Sequence, residues 1–141
     1  GASYLTQVCS LVCEGAFVKF PKLKVICAEG GLSWVPHLMW RLDKNYRGLR
    51  EEVPWLTQLP SAYIREHFRA TTQPMEEPED PRQLLQIMDM LGQDDFLMFA
   101  TDYPHWDFDA PDRALPGVVS PELRAKIMAT NALEFYDFGD T

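Results

Sequence analysis

What this chain lacks narrows it before any motif is read. Its 141 residues hold only three cysteines and three histidines. The cysteines are odd in number, and Cys9 with Cys13 sits at helical rather than Cys-x-x-Cys spacing, so they read as buried reduced thiols of a cytoplasmic protein. Basic residues are in deficit: 13 Lys and Arg against 21 Asp and Glu leave a net charge of −8. No basic stripe exists to neutralise phosphates, which excludes nucleic acid and anionic membrane surfaces as partners. Much of the acidity, notably Glu76, Glu77, Glu79 and Asp80, reads as solvated surface. No apolar run approaches the about 20 residues of a membrane span. The Gly1-Ala2-Ser3 start has neither a methionine nor the basic and apolar regions of a signal peptide, which suits a processed or excised chain. Gly30 and Gly31 lack the Gly-x-Gly-x-x-Gly spacing that brings a pyrophosphate to a helix N-terminus. Ser33 and Ser61 have no His and Asp around them to make a nucleophile, and Cys27 lies inside an apolar run rather than an electropositive loop.

What is there is an ordinary globular composition, 46% hydrophobic and 12% aromatic, enough for one domain over residues 1–141. Residues 96–100 form an unbroken apolar run after the Gly92-Gln93-Asp94-Asp95 turn, as a strand buried on both faces of a parallel sheet does. Its C-terminal end delivers a carboxylate, a phenol and an imidazole: Asp102, Tyr103 and His105. In parallel α/β folds that end of a strand is where ligands and catalytic groups collect. The plainer alternative is that Asp102 only caps a loop by accepting backbone N–H bonds.

Periodicity supplies the rest. The spacing of Leu5, Val8, Cys9, Val12, Ala16 and Phe20 predicts one amphipathic helix over 4–20, stopped by Pro21. Residues 23–28 read as a second buried strand, ending in Glu29-Gly30-Gly31. A helix follows with Ser33 as N-cap and Val35, Leu38, Met39, Leu42 and Tyr46 on one stripe. Residues 47–60 have no sustained period and read as an excursion, after which Ser61 caps a short helix to Phe68. A brief strand over 69–73 precedes a helix opened by Asp80-Pro81 and closed by Gly92. The last helix starts at Ser120-Pro121-Glu122 and runs to Phe135 and Tyr136.

Repeated strand-then-helix units predict right-handed crossovers and a parallel sheet of about three strands. Two unpaired edges would be a liability in so small a sheet, which points to a slice of a larger closed barrel.

Several pieces then resemble one family. They are Phe17-x-x-Phe20-Pro21-x-Leu23-Lys24-Val25, Glu29-Gly30-Gly31 followed by Trp34-x-Pro36, Leu38-Met39-x-x-Leu42-Asp43, Thr101-Asp102-Tyr103-Pro104-His105, and Asn131-Ala132-x-x-Phe135-Tyr136. In that order they look like the amidohydrolase-related TIM-barrel family of metal-dependent hydrolases and nonoxidative decarboxylases. The resemblance implies an α/β chain that is the C-terminal part of a (β/α)8 barrel, its strands similar to the sixth, seventh and eighth. It implies that Asp102 is a metal ligand that orients or deprotonates a metal-bound water, the metal being zinc in the full-length protein. Glu29 falls where many members carry a histidine that polarises the substrate. A glutamate donates a hydrogen bond only if burial raises its pKa, so the role has changed or the position has become a ligand or base. His105 resembles a residue in a subgroup of the family that contacts substrate.

A catalytic metal needs at least three well-placed protein ligands. Of the histidines, His37 and His67 lie on helices and read as surface or packing residues, which leaves Asp102 as one ligand. The expectation is therefore part of a longer metal-dependent hydrolase, acting on a small carboxylated or cyclic substrate, that binds little or no metal by itself. A nonoxidative decarboxylase is the alternative. A third reading is a non-enzymatic homo-oligomer that hides its sheet edges, with Trp34, Trp40, Trp55 and Trp106 at the interface, although tryptophans at such positions are more simply core.

Overall fold

A computed structural model of the chain describes residues 2–136. It contains one parallel sheet in the order β1 (Val25–Cys27), β2 (Phe68–Thr71), β3 (Leu97–Met98). Ile26 lies opposite Arg69, Cys27 opposite Ala70, and Thr71 opposite Met98. All three predicted strands are present, each shorter than predicted, and β2 begins one residue earlier, at Phe68. Side chains alternate across a strand, so Phe68 and Ala70 enter the core beneath the helices while Arg69 and Thr71 face the other way. With helical crossovers between parallel strands, this is the arrangement of a partial (β/α)8 barrel: helices outside, one sheet face toward the lumen.

The predicted first helix is two, α1 (Ala2–Cys13) and α2 (Ala16–Lys19). Apolar spacing continues through the break, which Gly15 makes by taking φ 76°. A Cβ there would meet the Trp55 indole, whose Nε1 donates to the Cys13 carbonyl at 2.8 Å. α3 (Trp34–Leu49) carries the predicted stripe, with Val35, Leu38, Met39 and Leu42 buried. α4 (Pro60–His67) begins one residue before the expected cap. Ser61 is instead buried in the first turn, where the Asp43 carboxylate accepts its N–H at 2.9 Å. α5 (Arg82–Leu91) ends at Gly92 with φ 74°, as its C-cap glycine predicts.

The last helix is interrupted. α6 (Pro121–Ala125), capped by Ser120 as expected, passes through a π-helical turn (Lys126–Thr130) into α7 (Asn131–Tyr136). The interruption serves β3: the Ile127 carbonyl accepts the Phe99 N–H at 2.9 Å, and the Asn131 amide donates to the carbonyls of Leu97 (2.8 Å) and Asp94 (2.9 Å). No further strand lies beyond β3 among the described residues, and at this edge helix groups take up the outward backbone groups of Leu97 and Phe99.

Other expectations need adjustment as well. Cys27 is buried, but Cys9 and Cys13 are only half-buried; all three are free thiols. None of the tryptophans is core: Trp34 is half-buried, and Trp40, Trp55 and Trp106 are exposed. His67 packs, stacked on Phe17 with Nδ1 donating to the Leu23 carbonyl at 2.8 Å, while His37 is exposed. No helix among the described residues is long and apolar enough to cross a membrane.

Candidate functional site

Beyond the C-terminal ends of β1 and β3 lie the two non-glycine residues with left-handed backbones among the described residues, Glu29 (φ 57°) and Asp102 (φ 59°). Aspartate tolerates that region through local hydrogen bonding; glutamate does so less readily, and either persists only where its surroundings hold it. Both are residues that the sequence singles out as site groups.

The restraints on Glu29 are visible bond by bond. Its N–H donates to Thr71 Oγ1 at 3.1 Å, while the preceding carbonyl of Ala28 accepts the Tyr4 hydroxyl at 2.5 Å. The Trp34 indole donates to the carbonyls of Gly30 (2.9 Å) and Gly31 (3.2 Å). Glu76 completes the set. Its carboxylate accepts the N–H of Leu32 at 2.9 Å, and the N–H and hydroxyl of Ser33 at 2.9 and 2.7 Å. Ser33, expected to cap α3 with its own side chain, makes no such bond; a carboxylate 43 positions away does the capping. Gly31 is required there, because its φ is 70° and a Cβ would lie 2.7 Å from Glu76 Oε1.

Glu76 is thus a correction to the solvated-surface reading. Burial pushes its pKa up, but the bonds from Ser33 and Leu32 outweigh this and hold it below the ordinary value. Replacing Glu76 by Ala should cost about 1 kcal/mol of stability at pH 7, toward the middle of the capping range because the carboxylate is half in water. With the folded pKa depressed, the contribution is present above the unfolded pKa and lost as pH falls through the folded one. Urea denaturation of both proteins at neutral and acid pH checks this, the difference shrinking on acidification.

Asp102 is gripped differently. Its Oδ2 accepts the His105 Nδ1–H at 2.9 Å, and its carbonyl accepts the His105 backbone N–H at 2.9 Å. Asp102 is largely shielded while the imidazole stands open to solvent, with side-chain exposures of 14% and 65%. The bond to Asp102 raises the His105 pKa, with smaller contributions from the charges of Asp102, Glu29 and Asp107. Glu29, Asp102 and His105 are therefore in one electrostatic neighbourhood at the strand ends. The loop around them is tied to β2: Gln73 Nε2 donates to the Asp107 carbonyl at 2.8 Å, and Thr72 Oγ1 bridges the Ala100 N–H and C=O.

Tyr4, Thr71, Gln73 and Glu76 carry no motif and act through long-range contacts, so reading along the chain does not find them. A cavity of about 300 Å³ lined by Glu76, Glu77, Asp109 and Arg113 lies between the loops after β2 and β3, and none of the three candidate residues lines it.

Among the described residues no three His, Cys, Asp or Glu side chains converge as a metal site would require. Asp102 with His105 offers one carboxylate and an imidazole whose Nδ1 is already engaged, so these residues alone do not fit a catalytic divalent ion.

The geometry has solved counterparts. A 5-carboxyvanillate decarboxylase from Sphingomonas paucimobilis is 27% identical with a TM-score of 0.67, over 92% of this chain and 38% of that one. An amidohydrolase from Mycobacterium avium subsp. paratuberculosis K-10 is 25% identical with a TM-score of 0.70, over 91% and 32%. A dihydroxybenzoic acid decarboxylase from Polaromonas sp. JS666, with bound manganese and 2-nitroresorcinol, shares the fold at 23% identity with a TM-score of 0.72, over 97% and 40%. The chain thus spans between a third and two fifths of the length of these relatives. The sequence profile of the Amidohydrolase family matches residues 2–138, nearly the whole chain, and the chain belongs to that family.

Proposed function

We propose that the protein is a nonoxidative decarboxylase of a small hydroxylated aromatic carboxylate, with Asp102, His105 and Glu29 as the groups this chain brings to the site. The observation that supports it best is the likeness to the 5-carboxyvanillate decarboxylase at 27% identity. The solved relatives favour this reading over the hydrolase, which the sequence put first.

The chemistry asks for one proton. A ring hydroxyl lets the carboxyl-bearing carbon accept a proton, forming a C–H bond; the C–C bond then breaks, its electron pair returns to the ring, and CO2 departs. The Asp102–His105 pair suits the donor's part, since the carboxylate keeps the imidazole protonated toward neutral pH and holds a proton between Nδ1 and Oδ2. Glu29, beside them on a restrained backbone, reinforces that protonation and orients the ring hydroxyl. A divalent ion would supply charge to hold the substrate carboxylate, with Asp102 as one donor. The relatives' manganese sets that metal beside the zinc expected from sequence.

The test is incubation of the naturally expressed protein with 5-carboxyvanillate and with 2,6-dihydroxybenzoate, with manganese or zinc added, following CO2 and the ring product. Stoichiometric CO2 and decarboxylated phenol are expected. No CO2 from either acid, together with cleavage of a phenyl ester or anilide offered in a parallel incubation, would return the assignment to the hydrolase.

A further inference from the structure

Away from the strand ends, helix α1 presents two thiols to each other. Cys9 and Cys13 are one turn apart, their Sγ atoms 4.0 Å from one another, both half-buried beside the core cluster and both free. Neither belongs to the site around Asp102. We propose that Cys9 and Cys13 form a chelating dithiol site for a soft, thiophilic, three-coordinate centre.

The spacing decides among the things two thiols can do. Residues four apart on a helix hold their Cβ atoms about 5–6 Å apart. A disulfide needs roughly 3.5–4.5 Å between them, so direct oxidation would deform the turn. A bridging atom has no such difficulty. With bonds of about 2.3 Å to each sulfur, an atom spanning 4.0 Å subtends an angle of about 120°. That is trigonal geometry, with the third position left for a small ligand or the centre's own substituent.

Hard ions are poor candidates, because they need several oxygen ligands, and a structural zinc site would need further protein donors. No third His, Cys, Asp or Glu completes such a set among the described residues. Thiol pairs select soft ions such as copper(I). Trivalent arsenic is also thiophilic and three-coordinate; its lone pair makes it pyramidal, so it draws the two sulfurs somewhat closer than the 4.0 Å they keep unliganded.

Burial, with Cys9 alongside, pushes the Cys13 pKa up to about 11, so this sulfur rests as a thiol at neutral pH and binding must expel its proton. With phenylarsine oxide the balance is simple: two As–S bonds form, the As=O bond breaks, and the two thiol protons leave with that oxygen as water. Nothing is oxidised or reduced. Cys27 is the internal comparison, a single thiol buried in β1.

Phenylarsine oxide is therefore the reagent for the test. Native mass spectrometry of the folded protein should show a one-to-one adduct, and two of the three thiols should escape alkylation by N-ethylmaleimide after denaturation. Cys9→Ser and Cys13→Ser should each weaken binding at least ~100-fold through loss of the chelate, while Cys27→Ser leaves it unchanged. Circular dichroism of each variant shows that α1 has folded, and a rise in Tm on adding the arsenical should accompany the adduct in the unaltered chain. An adduct that survives Cys9→Ser or Cys13→Ser with similar affinity, that disappears in Cys27→Ser, or that never forms on the folded protein would overturn the assignment.

Discussion

Replacing Asp102 by Asn should lower carboxylate loss about 10²–10⁴-fold while leaving the fold in place. The substitution isolates the charge. Asparagine tolerates the left-handed backbone that Asp102 occupies at φ 59°, and its side-chain oxygen can still accept the Nδ1–H of His105. What disappears is the anion that raises the imidazole's pKa and that, in the proposed decarboxylation, passes the proton on. The His105 pKa should fall back toward its ordinary value, because the hydrogen bond to the carboxylate is the main cause of its elevation. A folded pKa raised in this way contributes stability that is complete below the unfolded value and is lost as pH rises through the folded one, so the variant loses that contribution on the acid side. Histidine NMR titration alongside turnover reads both effects. Unchanged turnover together with a shifted imidazole would assign the pair to loop structure and remove it from the chemistry.

The second large effect concerns the fold that carries these groups. Phe68 is 1% exposed on the central strand and meets Phe17 edge to face at a centroid distance of 5.1 Å. Phe68→Ala removes the ring that joins β2 to α2 and should cost about 3–5 kcal/mol, a large share of the roughly 5–15 kcal/mol that holds a domain together. Urea denaturation should show an earlier midpoint with an unchanged slope; a loss below about 1 kcal/mol would mean the helices repack over the gap.

How much of this was legible along the chain follows from range. β1 and β3 could be read because burial on both faces makes their runs apolar, whereas β2, with Arg69 and Thr71 in it, showed only as a short β-prone segment; the chemistry could be read at the strand ends because a parallel sheet delivers side chains there. Glu29 and Asp102 share left-handed backbones, which no periodicity reveals. The caps could not be read where they come from afar. Ser33 and Ser61 have the right residue type, yet Glu76 and Asp43 take the work from other elements. The break at Gly15 escaped for the opposite reason: the apolar spacing runs through it, and only the Trp55 ring says why the chain must turn. Exposed Trp106, at 94%, shows the limit of composition, since aromatic content says nothing of which rings are inside.

The π-helical turn in the last helix has a consequence for association. By spending the Ile127 carbonyl on the Phe99 N–H and the Asn131 amide on Leu97, it stops the sheet at β3, while among the described residues no strand lies against the outer side of β1. A sheet with two bare sides can add copies indefinitely in a row; one with a single bare side cannot. The irregular turn therefore gives the sheet a polarity: a further strand finds an open backbone ladder at β1, whereas at β3 it would first have to displace the Ile127 and Asn131 bonds.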